Sequence, residues 1–229
     1  LDVLASCESG WDHSTRCDER WLEHVPVDLN SILHVREQDF AWAAERLGHH
    51  RAAARWRDTA ATRAATMQRL LWDEEAGFFF DYDYVNQRRT PVPSLAGFYP
   101  LWAGWATPEQ AVRVVAEWLP RFEQPGGLLT SLDARPGRQW AAPNGWAPLQ
   151  WLAIQGLLRY GENAAARRVM TKWCEHNAAV FAATGAMWEK YNVVEVGAVP
   201  EGGLYGTVPG FGWTNGVFVD LARLLGAGD

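Results

Sequence analysis

Helix-length segments come in back-to-back pairs, and between the pairs the chain runs irregularly for longer than a compact domain tolerates without a purpose. Residues 27–48 carry apolar side chains at 29, 32, 33, 40, 43 and 47, the spacing of one helix face, and stop at Gly48, with Asp28 in the place of an N-cap. A second helix, 50–72, follows directly with Trp56, Met67, Leu70 and Leu71. Residues 107–122 open TPEQ, a Thr cap with Pro in the first turn and Gln at the third helical position. Helices over 147–160 and 162–183 are joined by a GEN turn, and a last one covers 214–226. A shorter helix is expected at 94–104, and FFFDYDYV (78–85) alternates as a small hairpin does. The irregular stretches are 9–27, 73–93, 123–146 and 185–213, rich in Gly, Trp, Pro and Asn. Helical hairpins whose long loops all return to one end predict a ring of hairpins with its site at that end. The helices here make about four hairpins, and a closed ring of six needs more chain.

Composition narrows the partners. With 21 Lys and Arg against 27 Asp and Glu the net charge is -6, which argues against a nucleic-acid backbone. No apolar run reaches the roughly 18 residues of a membrane span. Three cysteines, Cys7, Cys17 and Cys174, match no metal spacing and no disulfide framework. Residues 1–8 (LDVLASCE) read as the end of a helix and not as a signal peptide, so cytoplasm and periplasm both stay open. The 14 Trp exceed what a core of this size usually absorbs and point to flat apolar ligand faces.

Four loops hold residues suited to chemistry. In ESGWDHSTR (8–16), Asp12 follows Trp11; an acid against an indole is the arrangement of a proton donor, although taken alone Asp12 reads more readily as a turn cap. In RQWAAPNGWAP (138–148), Trp140 and Trp146 flank a proline-stiffened Asn144-Gly145 turn, either as sugar-stacking platforms or as plugs for the bundle end. In ATGAMWEKYNVVEVG (183–197), Glu189 lies between Trp188 and Lys190, followed by Tyr191; it reads as a base beside a cation or as a solvated Glu-Lys pair. In GGLYGTVPGFGWTNG (202–216), glycines let Phe211 and Trp213 come close to a ligand. Two tryptophan-flanked acids on hairpin loops suit a two-carboxylate glycosidase, which needs neither metal nor organic cofactor. The His49-His50 pair and the arginines at 51, 55, 57, 63 and 69 read as solvated.

Taken together, ESGWDHSTR, PVDLNSIL (26–33), LWDEEAGFFFDYD (71–83), QWAAPNGWAPLQWLAIQGL (139–157), WEKYNVVE (188–195) and GFGWTNGV (210–217) resemble the trehalases of glycoside hydrolase family 37, in family order along essentially the whole chain. The resemblance implies an all-α (α/α)6 toroid, of which residues 1–229 form the C-terminal part of a single catalytic domain. It implies an inverting hydrolase of α,α-trehalose with Asp12 as general acid and Glu189 as general base. Trp11, Arg16, Gln139, Trp140, Asn144 and Trp213 then line or support the sugar site, with Trp146, Trp188, Tyr191 and Phe211 beside them. Three features depart from the pattern. The family's N-terminal signature is absent, the stretch between Arg16 and Pro26 is short, and Ala141 and Leu204 stand where trehalases carry polar residues. Those departures motivate two alternatives: a hydrolase of another small α-glucoside, and a non-catalytic helical module that binds sugar.

Overall fold

A computed structural model describes residues 1–135, 137–198 and 206–226. Its helices are α1 (Asp2–Glu8), α2 (Val27–Arg46), α3 (His50–Leu71), α4 (Tyr99–Ala103), α5 (Pro108–Arg113), α6 (Leu119–Phe122), α7 (Ala147–Arg159), α8 (Asn163–Thr184) and α9 (Gly212–Gly226). The expected helices are all present, most ends within two residues of expectation, although the 94–104 segment opens as a 3-10 turn, Leu95–Phe98, and becomes α-helical only at Tyr99. Thr107 and Gln110 close the capping box that starts α5. Between α5 and α6 the chain widens into a π turn, Val114–Trp118. Pro120 explains it: proline offers no N–H, and its ring crowds the carbonyl four residues back, here that of Ala116.

Successive packing builds an arc in two layers. α2, α4, α7 and α9 each pack on the next, while α3 lies on α2 and α8 lies against α7 and α9. α7 is therefore covered from several sides, and Ala147, Leu149, Gln150, Ala153, Ile154, Gly156 and Leu157 are all buried on it. Gly156 permits the close approach of α4, because a Cβ there would stand 3.0 Å from the Leu101 side chain and from the Trp102 backbone. The core continues through Met67, Leu71, Phe78, Phe98 and Phe122, with Phe78 stacked on Trp118 at 4.4 Å.

The four irregular stretches bond to one another, which gathers them at one end of the arc. His24–Val25 pairs antiparallel with Tyr82–Asp83, which also pairs with Arg88–Arg89. Ser94 bridges to Ser131, and Asn144–Trp146 pairs antiparallel with Lys190–Asn192. Arg135 and Arg138 reach back to Asp18 and Glu19. Leu47–His49, Gly104–Thr107 and Tyr160–Glu162 are the short turns between helices.

Some local readings are corrected by long-range partners. The 78–85 segment is not one hairpin: Phe78–Phe79 folds back on Trp72–Asp73, while Tyr82–Asp83 joins the three-stranded ladder. Asp28 does not cap α2. The helix begins at Val27 after Pro26, and the Asp28 carboxylate turns to Arg16 instead. Arg63 is not solvated either, since it holds Glu37 and Asn30 of α2. His50 is exposed and bonds Glu45, as a solvated residue would. Along the two edges of the arc apolar side chains face outward: Leu29, Ile32, Leu33 and Phe40 on α2, and Val219 and Leu224 on α9. A groove of about 590 Å³ runs between α1 and the start of α2, lined in part by Ala5, Trp21, Leu22, Leu29 and Ile32. Among the described residues no helix is long and apolar enough to cross a membrane.

Candidate active site

The Asp12 loop hangs from two anchors. Trp11 is buried, its ring 5.3 Å from that of Trp140. Arg16 lies 1% exposed with its guanidinium 4.7 Å over the Trp11 ring. Arg16 Nε and Nη2 donate to Asp81 and Nη1 and Nη2 to Asp28, all at 2.6–2.7 Å. Asp81 also accepts from the Val27 backbone N–H, so this one cluster ties the loop to the start of α2 and to the 82–83 strand. Burial opposes the Arg16 charge, but Asp28 and Asp81 outweigh it and hold the guanidinium well above its ordinary range. The nearby Cys17 thiol is pushed far up, by burial first and then by Asp81. Asp12 itself is half-buried, and among the described residues its carboxylate has no hydrogen-bond partner.

The Glu189 loop is clamped from several directions. Gly185, in the left-handed conformation, ends α8 and releases the chain. The Glu189 N–H donates to the Val208 carbonyl, and its carbonyl accepts from Trp213 Nε1 at 3.2 Å. Thr214 Oγ1 donates to the Trp188 carbonyl, and the Trp188 N–H donates to the Tyr191 hydroxyl. Gly145 faces Tyr191 and Trp146 faces Lys190 across the short ladder. Only glycine fits at 145, where a Cβ would lie 2.5 Å from Val193. Glu189 is 5% exposed and Lys190 is fully buried, with Lys190 Nζ 2.8 Å from Glu189 Oε2. The pair is therefore not a solvated surface pair.

Tryptophans connect the two loops. Trp11 meets Trp140, Trp140 stacks on Trp146 at 3.9 Å and 2°, and Trp146 meets the Trp213 ring edge-on at 5.7 Å. Phe211 tilts against Trp213 at 4.6 Å. Asp12, Trp188, Phe211 and Trp213 keep partly open surfaces, whereas Trp11, Trp140 and Asn144 are buried and Arg16, Gln139, Trp146 and Tyr191 almost completely so. Trp146 faces its own kind and the Lys190 ammonium, 5.4 Å from its ring, and donates its indole N–H to the Gln139 carbonyl. In this structure its ring packs on other side chains and braces the loop from within. The Gln139 carbonyl also accepts from Asn144 Nδ2. Leu204 and Tyr205 lie outside the described residues, and Ala141 is fully buried.

Three residues escaped sequence reasoning. Asp28 and Asp81 hold Arg16, and the run FFFD, an acid directly behind three buried aromatics, was the available signal for Asp81. Gln150 of α7 mimics a strand partner: its amide accepts from Leu128 N–H and donates to Leu128 O, which fixes the 123–146 stretch.

An arc of helical hairpins with its long loops knitted together at one end is the architecture of α-helical toroid enzymes. Solved structures agree: the chain superposes on neutral trehalase of Saccharomyces cerevisiae with a TM-score of 0.80 and 31% identity, covering 95% of this chain and 42% of that one. It matches a mannosylglycerate hydrolase of Thermus thermophilus with a TM-score of 0.68 and 26% identity, covering 90% and 51%. The chain belongs to the trehalase family, whose sequence profile matches residues 4–226. It is 38% identical to a periplasmic trehalase of Xanthomonas oryzae and 34% identical to one of Salmonella schwarzengrund, over 97% and 98% of its own length. The chain spans about 40% of the length of these relatives.

Proposed function

We propose that the protein hydrolyses α,α-trehalose with inversion, Asp12 protonating the leaving oxygen and Glu189 deprotonating the attacking water. The observation that carries this reading is the buried Glu189, paired with Lys190 and joined through Trp213, Trp146 and Trp140 to the loop of Asp12. An inverting site needs its carboxyls about 6.5–9.5 Å apart, with water between them. Phe211, Trp213 and Trp188 keep apolar ring surface for a sugar face, and the remaining aromatics hold those rings in place. Residues 1–229 are then the C-terminal part of one (α/α)6 domain. Its other hairpins would cover the apolar edges of α2 and α9, where Leu29, Ile32, Val219 and Leu224 face outward. The relatives named periplasmic trehalase favour the periplasm, which cell fractionation tests.

The likeness to a mannosylglycerate hydrolase, with Ala141 in place of the family's acid, supports a second reading: a different small α-glycoside. A panel of glycosides on the whole protein separates the two. On trehalose, NMR before mutarotation should find α- and β-glucose in equal initial amounts, one from the leaving sugar and one from the inverted centre. Initial release of α-glucose alone means retention and removes Glu189 from the role of base.

A further inference from the structure

We infer that Lys190 is a positioning residue for the proposed base: its ammonium holds Glu189 Oε2 and leaves Oε1 to take the proton from water. The inference rests on the acid–base reading above and deepens it. A fully buried ammonium is costly to desolvate, and replacing a buried ion pair by apolar side chains is often neutral or stabilising. Fold stability alone is therefore a poor reason for a charge at this place. The geometry supplies a better one. Lys190 Nζ lies 2.8 Å from Glu189 Oε2, whereas Oε1 has no hydrogen bond among the described residues.

Two features fix the ammonium where it is. Lys190 sits directly opposite Trp146 in the three-residue ladder, and its Nζ lies 5.4 Å from the centroid of that ring. The indole is itself locked by its stack on Trp140 and by its hydrogen bond to the Gln139 carbonyl. The lysine stem has four rotatable bonds, and this packing removes their freedom before any substrate arrives. The Glu189 backbone is held separately, by Val208 and Trp213. With the backbone and one oxygen both fixed, the remaining oxygen has a single direction in which to meet water. Lys190 thus acts through Glu189 and does not touch the sugar.

The test uses the whole protein and trehalose. Wild type must turn over and Glu189→Ala must not; otherwise the functional reading fails and takes this inference with it. Given that, Lys190→Met should lower kcat about 100-fold with KM within about threefold, while the helical circular-dichroism signal stays near wild type. In Lys190→Ala, added propylammonium should restore kcat roughly tenfold, and propanol, of similar size but uncharged, should not. A well-folded Lys190→Met with wild-type kcat, a change confined to KM, or equal rescue by the alcohol overturns the role. If Lys190→Met does not fold, Lys190→Arg keeps the buried charge but re-aims it with a longer, planar fork. Its kcat should fall at least tenfold at unchanged KM, and an unchanged kcat overturns the role equally.

Discussion

The two loops proposed to carry the reaction are held in opposite ways. Glu189 is fixed at every level, its backbone in bonds to Val208 and Trp213 and its carboxylate on a buried ammonium. Asp12 is half-buried, without a hydrogen-bond partner among the described residues, and is steadied only through its neighbours Trp11 and Arg16. The difference matches what each role demands. A base that aligns a water gains from a single fixed oxygen, because misplacement is lost directly in rate. An acid must instead follow the leaving oxygen as the bond breaks, and a carboxyl locked by other donors could not. The strong electrostatics on the acid side therefore sit one step back, in the Asp28–Arg16–Asp81 cluster.

The largest effect that separates the two sides is chemical. Asp12→Asn keeps shape but cannot give a proton, so kcat on trehalose should fall about 1,000-fold or more. On glucosyl fluoride, whose leaving group needs little acid help, the loss should be far smaller. Glu189→Ala should impair both substrates alike, since each still needs an activated water. If Asp12→Asn hurts both substrates equally, the division into an acid side and a base side is broken.

Next in size is the cost of cutting the acid-side anchor. Arg16→Met leaves two carboxylates, Asp28 and Asp81, without their cation where they are only 5% and 2% exposed, and breaking a buried pair costs about 3–5 kcal/mol. Denaturant melts should report a loss of that order, accompanied by reduced kcat because Trp11 loses the cation over its ring. A loss below about 1 kcal/mol would make the cluster an incidental ion pair and leave the Asp12 loop without an anchor.

The same contrast explains what could be read from the sequence. Helices and caps are local, so Thr107 with Gln110, the stop at Gly185 and the apolar period of α2 placed the hairpins correctly. The carboxylates of the resemblance were named from motif alone. Their surroundings were not legible, because Arg16 finds its partners 12 and 65 positions along the chain, and Asp28 looked like the cap it is not. Aromatic pairing was similarly hidden: nothing local to Trp140 or Trp146 announces that their rings stack on each other at 3.9 Å. Nor does the string Glu-Lys distinguish a solvated pair from a buried one. That depends on Trp146 arriving opposite Lys190 from a different loop.

The smallest expected effect concerns the base side and pH. His176 of α8 is fully buried, edge-on to Tyr191 at 5.4 Å, and its Nδ1 accepts the Gly197 backbone N–H at 3.1 Å. That acceptor requires the neutral ring, and burial lowers the His176 pKa, with a backbone hydrogen bond to Asn192 opposing it. An unfolded histidine titrates near 6.5, so below that pH the unfolded chain takes a proton that the folded ring refuses. Proton binding is then greater in the unfolded state, and stability falls as pH falls. His34, buried on α2, shifts in the same direction, again chiefly through desolvation, and adds to the slope from the other end of the arc. The difference between wild type and His176→Gln isolates the base-side share from carboxylates that titrate lower. Between pH 7 and pH 5 the wild-type Tm should drop more than that of the variant, by roughly a few degrees. Parallel Tm profiles would mean that His176 is protonated in the fold without penalty, and the base side would then owe nothing to a neutral ring beneath Tyr191.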